Sequence, residues 1–410
     1  MAGPLQGIRV LDLTTVVMGP YACQLMGDYG ADVIKVESPD GDVMRSSGPM
    51  KSPGMGHLFM STNRSKRSIV IDLKTPEGRE LLLRLAKQTD VLLYNIRPQA
   101  MARLGLGYED LRAANPRLVY VGAFGFSQRG PYAARPAYDD LIQGMSGIPW
   151  LSLKAGSAEP RYAPVILADR IVGLQVAFAT MAALRHRDVS GEGQRVDVPM
   201  FENLLTIVLG EHLAGSLFEP AIGEAGYQRS LAHNRRPHRT RDGYICTLVY
   251  TDKHWRSFFA AIGQAETFKR DARFSSQNER LKYINEVYGY LAGVLATRTT
   301  AEWIDVLTEA DIPVARMNSL EDVLNDEHLR AIGYFRTFEH PSEGPIKDVA
   351  IATEWSTSRP EVSRHAPTLG EHTIEVLSEA GLDASVIADL LKRKIIRSAK
   401  DRVSGEEDHG

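Results

Sequence analysis

Residues 8–37 read IRVLDLTTVVMGPYACQLMGDYGADVIKVE, and this stretch decides the fold. Residues 8–13 are a short, largely apolar run, the pattern of a buried strand. Residues 14–20 make a turn, residues 21–29 carry a helix, and Gly30 stops it, because glycine accepts the backbone a helix end requires. Residues 31–36 form a second strand that ends at Glu37. Strand, helix and strand in succession make a βαβ unit, whose natural host is a parallel, doubly wound α/β sheet. A dinucleotide fingerprint would place three glycines in the first turn, and only Gly19 stands there. Glu37 alone, as a mimic of the ribose-binding acid, does not restore that fingerprint. A pyrophosphate-bearing ligand can still bind at the strand ends of such a sheet.

Outward from this unit the pattern repeats. Residues 40–56 are rich in Gly, Pro, Ser and Met and read as a loop. Residues 68–73 read as a strand, Thr75 caps a helix over 77–87, and 91–94 and 118–123 are further strands. Asn63, Arg64, Lys66, Arg67 and Lys74 bracket the first of these with positive charge. They form either a solvated patch or, with Asn95, Arg97 and Arg103, a cradle for phosphates. A glycine-rich turn, GFSQRGP, occupies 125–131 and lets backbone approach a ligand. Arg135, Tyr138, Asp139 and Asp140 follow, before a loop around 144–147; the paired carboxylates suit acid–base work or a helix cap.

Residues 161–185, RYAPVILADRIVGLQVAFATMAALR, are almost wholly apolar around one carboxylate, Asp169. Apolar positions 171, 172, 174, 176, 178, 181 and 184 predict a largely buried helix that begins at Asp169. A carboxylate at a helix N-terminus is stabilised as the anion. Asp169 is then either an ordinary cap or a pre-ionised nucleophile on a rigid element. Turn and strand follow at 191–198 and a helix at 201–217. Residues 220–240 change character, with Gly, Arg, His, Asn and Pro, and read as a linker or active-site loop. A strand at 243–249, helices at 254–262 and 285–295, and a helix over 301–310 capped by Thr300 make a smaller domain. A β segment at 347–352, a terminal helical region at 384–398 and a polar, mobile tail after 401 complete the chain.

The 410 residues exceed one ordinary core and predict several domains. The boundaries are expected at 1–220, 221–325 and 326–410, with the last part returning to the first. A net charge of −3 carries no nucleic-acid or membrane signature. The two cysteines, Cys23 and Cys246, lie far apart without a CxxC, which argues for a reducing compartment and against a zinc site. The N-terminal residues show no signal pattern, and the apolar run at 172–184 is too short to span a bilayer. A cytoplasmic protein is expected.

Several segments together resemble the class III CoA-transferases, the CaiB/BaiF or formyl-CoA transferase family. They are VLDLTTVVMGPYACQLMGDYGADVIKVE, NRSKRSIVIDLKTPEG, LGLGYEDL, GFSQRGP, the Asp169 region with GEGQRVDV, DIPVARMNSLEDVLNDEHL and APTLGEHT, in the family's order along nearly the whole chain. The resemblance implies a Rossmann-like large domain made from both chain ends, a smaller inserted α+β domain, and an interlocked homodimer with its active site at the interface. It places the nucleophilic aspartate on Asp169. It places the CoA-lining positions on Val16, Val17, Ser38, Ile71 to Lys74, Asn95, Ile96, Arg97, Arg103 and Arg135 to Tyr138. No permanently bound cofactor and no metal are implied; CoA enters as substrate and product. Val17 stands where formyl-CoA enzymes carry glutamine, and their glycine-rich lid is not visible, which disfavours formyl-CoA or oxalate.

An aspartate suits this chemistry, since an enzyme carboxylate attacking a thioester forms a mixed anhydride similar in energy to the one the acceptor acid forms. Backbone N–H groups near Gly19, Gly125 or the start of the Asp169 helix are candidates to stabilise the oxyanions. The α-methylacyl-CoA racemase branch is the nearest rival. Its histidine falls on Tyr138, and tyrosine's ordinary titration near 10 suits a base at neutral pH poorly. A nicotinamide oxidoreductase lacks its glycines here, and a non-catalytic CoA-binding protein would not need Asp169 in an apolar setting. His233, Asn234, Arg235, Arg236, His238 and Arg239 crowd one loop. They make either a solvated linker or a site where Arg235 and Arg236 hold the far carboxylate of a dicarboxylic acceptor, or of a similar anion such as a sulfinate, with succinyl-CoA as donor.

Overall fold

The computed structural model describes residues 3–399, so the tail expected to be mobile lies outside the described residues. Contacts divide the chain into two compact units: Met1–Ile142, Pro164–Leu205 and Arg330–Gly410 form the first, Gln143–Ala163 and Thr206–Leu329 the second. The sequence reading draws its line at 220. The division at Leu205/Thr206 falls inside the Met200–His212 helix, an uninterrupted element with no proline or glycine at that point to mark it.

The first unit is built on β1 (Arg9–Leu13), β2 (Asp32–Glu37), β3 (Lys66–Ile71), β4 (Val91–Tyr94), β5 (Val119–Phe124) and β6 (Arg195–Pro199). These six are parallel in the order β3-β2-β1-β4-β5-β6. β3, β4 and β5 are buried at every position, as strands covered on both faces must be. One core layer joins Leu11, Ile34, Ile69, Leu82, Leu92, Tyr120 and Leu377.

The βαβ unit forms as read, but its helix is Met18–Asp28, three residues earlier than expected. Pro20 sits in its first turn, where a backbone N–H is not needed. Thr75 Oγ1 caps the Pro76–Ala86 helix by accepting the Gly78 N–H at 3.0 Å. A helix at His57–Asn63 and a hairpin partner strand at Phe335–His340 were not foreseen. The terminal helix ends at Lys392, and Ile396–Arg397 returns as a strand antiparallel to β3.

The cluster at 63–67 is neither a solvated patch nor a phosphate cradle. Asn63, Arg64, Lys66 and Arg67 are all buried. Lys66 Nζ donates to Asp12, the Pro20 carbonyl and Asn63, each at 2.8 Å. Arg64 pairs with Asp28 and Asp348, and Arg67 with Asp32, Glu375 and Glu379. Burial works against the Asp12 charge, but Lys66 and Lys35 overcome it and hold the carboxyl at about 2.

The helix carrying Asp169 runs Leu167–Ser190, beyond the apolar run on both sides. By length and composition it could cross a membrane, and 50% of its most apolar window is buried. Val172, Val176 and Leu184 are buried as expected, whereas Leu174 and Phe178 are 52% and 64% exposed.

The second unit has a small antiparallel sheet of His238–Arg239, Tyr244–Thr247 and Val314–Arg316. Its core gathers Trp255, Phe258, Phe259, Phe274, Leu291 and Trp303. The cap of the Thr300–Glu309 helix is Thr299, not Thr300. Its side chain accepts the Glu302 N–H while the Glu302 carboxylate accepts the Thr299 N–H at 2.8 Å, a reciprocal pair that Thr300 cannot form.

Candidate functional site

Strand order reverses between β1 and β4, and the crevice beyond their carboxyl ends is where open α/β sheets take ligands. The loop leaving β1 is pinned from two sides. Asn95, just after β4, accepts the Thr15 N–H at 3.1 Å and donates to the Thr15 carbonyl at 2.8 Å. Asp42 accepts the Val16 N–H at 3.2 Å and, through its other oxygen, the Lys35 ammonium at 2.9 Å. Both members of that ion pair have fully buried side chains. Val16 has φ +75°, in the left-handed region. For a β-branched residue such strain costs about 1–3 kcal/mol and persists only where the surroundings impose it.

This loop delivers Met18 to Asp169. Asp169 is the third residue of its helix, whose N-cap, Ile166, offers no side-chain bond, so it is not the cap. The Met18 N–H donates to the Asp169 carboxylate, and the Asp169 N–H donates to Asp139 Oδ1 at 3.1 Å. Gly173, one helical turn on, permits the approach: a Cβ there would lie 2.8 Å from the Met18 carbonyl. Burial first, then the charge of Asp139, raises the Asp169 pKa to about 7, while Arg170 and the Met18 N–H pull it down. This corrects the expectation of a carboxylate already ionised by its helix. A helix terminus offers only about half a charge, and here desolvation and a neighbouring carboxylate outweigh it.

Asp169 opens into a cavity of ≈ 380 Å³ lined also by Val16, Asn95, Ile96, Arg97, Arg135 and Tyr138. A second cavity, ≈ 560 Å³, is lined by Ser38, Ile71, Lys74 and Ile96 over an apolar floor that includes Leu13, Val36, Leu73 and Leu104. Thr15 and Ile96 line both. Two expected residues fall outside: Val17 is buried at the helix start, and Arg103 is exposed at the end of the Pro98–Arg103 helix. Asn95 borders the first cavity but spends its amide on Thr15, and Arg135 stacks 3.9 Å over the Tyr132 ring. Sequence reasoning missed Thr15 and Met18, which act through backbone, and Lys394 and Arg397 on the second cavity. The glycine-rich turn has a steric reason: a Cβ at Gly125 would meet the Ala137 Cβ at 2.1 Å.

In the second unit, Arg235 and Arg236 line a cavity of ≈ 310 Å³ with Arg229, His238 and Tyr288. Burial, then the Arg236 charge, pushes the His238 pKa down, so this imidazole stays neutral near pH 7. Among the described residues no group of three His, Cys, Asp or Glu is placed to hold a metal ion.

The model of CoA-transferase family III matches residues 5–373. The chain is 35% identical to a succinate–glutarate CoA-transferase of Agrobacterium fabrum, covering 92% of this chain and 95% of that one. It is 32% identical to the alpha subunit of a succinyl-CoA–L-malate CoA-transferase of Chloroflexus aurantiacus, covering 96% and 92%. Among solved structures, a CaiB/BaiF family protein from Brucella suis superposes with a TM-score of 0.77 at 30% identity, covering 93% of this chain and 100% of that one.

Proposed function

The chain belongs to CoA-transferase family III and is an enzyme that transfers CoA, and from this premise we propose that it moves CoA from succinyl-CoA to a small dicarboxylic acid through Asp169. One observation carries the reading. The Asp169 carboxylate lines a cavity at the switch point of the sheet, and that cavity shares Thr15 and Ile96 with a larger, apolar-floored one whose lining includes Lys74, Lys394 and Arg397. A thioester carbonyl at Asp169 can thus be continuous with a carrier arm and nucleotide in the second cavity.

In the proposed sequence a carboxylate oxygen of Asp169 attacks the thioester carbonyl carbon, and the C–S bond breaks to release CoA thiolate. The thiolate attacks the aspartyl carbonyl of the mixed anhydride and expels the donor acid, leaving an Asp169–CoA thioester. The acceptor carboxylate attacks that thioester carbonyl, again releasing thiolate. The thiolate then takes the acceptor acyl carbon and frees Asp169. The positive end of the Met18–Asp28 helix faces the charge that develops on Asp169. No histidine lines this cavity among the described residues, which favours transfer over proton exchange by paired bases. Incubation with acyl-CoA followed by hydroxylamine or borohydride tests the reading: mass spectrometry finds the modification on Asp169, and a modification elsewhere defeats it.

Because protonated Asp169 cannot attack, kcat/KM for the acyl donor rises with pH through about 7. Asp139→Asn keeps an oxygen for the Asp169 N–H but removes the charge that raises its pKa. The rising limb of the profile therefore moves to lower pH, and an unmoved limb would discard Asp139 as a cause.

The acceptor's far carboxylate is assigned to Arg235 and Arg236. Single Gln variants raise the acceptor KM by roughly tenfold, the worth of one charge-assisted hydrogen bond. Unchanged dicarboxylate kinetics in both would remove the idea. The interlocked homodimer with an inserted small domain is part of the same proposal. The exposed Leu174 and Phe178 supply an apolar face that a second copy would cover. A cytoplasmic setting agrees with two unpaired cysteines, Cys23 and Cys246.

A further inference from the structure

Given acyl-CoA as the substrate proposed above, we infer that Lys394 and Arg397, on the return segment near the chain's C-terminus, bind the phosphates of the carrier and make carrier selectivity a property of that segment. Both lie beyond residue 373, where the family match ends. Both line the second cavity, whose floor of Leu13, Val36, Ile71, Leu73, Ile96 and Leu104 suits the flat face of a purine. Among the described residues their one cationic companion on that cavity is Lys74.

The charges around the cavity leave these cations available. Glu37 is taken up by Arg45, and Asp42 by Lys35. Asp72 accepts the backbone N–H of Lys74 at 2.9 Å, and Asp40 is exposed. Among the described residues neither Lys394 nor Arg397 belongs to an ion pair, whereas Arg393 beside them pairs with Glu77 and Asp389.

The fold also fixes where the two side chains start. Ile396 pairs with Ile71 and Arg397 with Val70 at the antiparallel edge of the sheet. The Asp72 N–H donates to the Ile395 carbonyl at 2.8 Å. Arg397 Nη1 donates to the Pro39 carbonyl at 3.3 Å, which holds the guanidinium beside the exit of β2. Lys394 has φ +57°, a left-handed turn residue that joins the Ala384–Lys392 helix to the return strand. Exposed cations contribute little when paired with single surface carboxylates. Several converging on one phosphate, with an arginine able to bind bidentately, form a recognition site.

The test uses the full chain and two donors, succinyl-CoA and succinyl-pantetheine, the second carrying no phosphate. Lys394→Asn removes the charge with a residue that tolerates the left-handed backbone, and Arg397→Gln removes the other. Each variant lowers kcat/KM for succinyl-CoA by about tenfold and the pair by about a hundredfold. The kcat at saturating donor and all succinyl-pantetheine kinetics stay unchanged, and Arg397→Lys retains most of the activity. An unchanged double variant, or an equal loss with succinyl-pantetheine, overturns the assignment. Calorimetric binding of CoA itself requires no transfer: its Kd weakens by the same factors while that of pantetheine does not. Failure of Asp169 labelling would therefore leave this measurement standing, and failure here would leave the labelling standing.

Discussion

Asp169→Ala and Asp169→Asn lose CoA transfer by roughly 10⁴-fold or more, the scale on which removing a covalent nucleophile acts. Neither variant forms the hydroxylamine- or borohydride-trapped adduct. Asp169→Glu keeps the carboxylate but displaces it by a methylene, and misplacement of about 1 Å costs on the order of a hundredfold. The loss does not come from unfolding. The Asp169 carboxyl titrates at about 7 in the folded chain, against an ordinary value of 3.8. A carboxyl whose pKa rises on folding costs nothing below its unfolded pKa. Its cost grows as pH rises from about 4 to about 7 and is complete above that. Asp169→Asn relieves this cost, so its Tm above pH 7 equals or exceeds that of the unaltered chain, as at other sites where function is bought with stability. Full activity in Asp169→Ala would end the assignment, and a collapsed Tm in Asp169→Asn would show that the carboxylate serves the fold instead.

Asp42→Ala has the second large effect, and it acts on stability. The side chain is fully buried and holds three donors: Lys35 Nζ at 2.9 Å, the Val16 N–H at 3.2 Å and the Met44 N–H at 3.0 Å. Removing it leaves a buried ammonium with fewer counter-charges, a change that costs about 3–5 kcal/mol. Urea unfolding reads this as a lower midpoint. It also frees Val16 from its left-handed conformation, and with it the Met18 N–H that Asp169 accepts. A second variant separates the two consequences. Asp42→Leu combined with Lys35→Met replaces the pair with apolar groups of similar size, which restores most of the stability. It does not restore the acceptor for the Val16 N–H, so kcat stays low. If the double variant recovers kcat together with its urea midpoint, Asp42 supports only the fold.

The parts of this protein that the sequence made legible are those governed by neighbours a few residues apart. The βαβ unit, the strand Val91–Tyr94, the Thr75 cap and the glycine stop after the first helix all follow from short-range periodicity and capping. A single carboxylate in an apolar run was enough to single out Asp169. Tertiary structure decided the rest, because desolvation and Coulomb forces depend on what the chain brings from elsewhere. Arg64 and Arg67 read as a solvated patch or a phosphate cradle until Asp348, Glu375 and Glu379, hundreds of residues away, close over them. Asp169 read as an ionised helix-terminal acid until burial and Asp139 raised its pKa. Residues 394–397 read as helix because no local signal announces that their backbone completes the edge of a sheet begun at β3. The sequence pattern drew Asp169 out of its apolar run as cap or nucleophile, and only the packed chain set its protonation and built the cavity it lines.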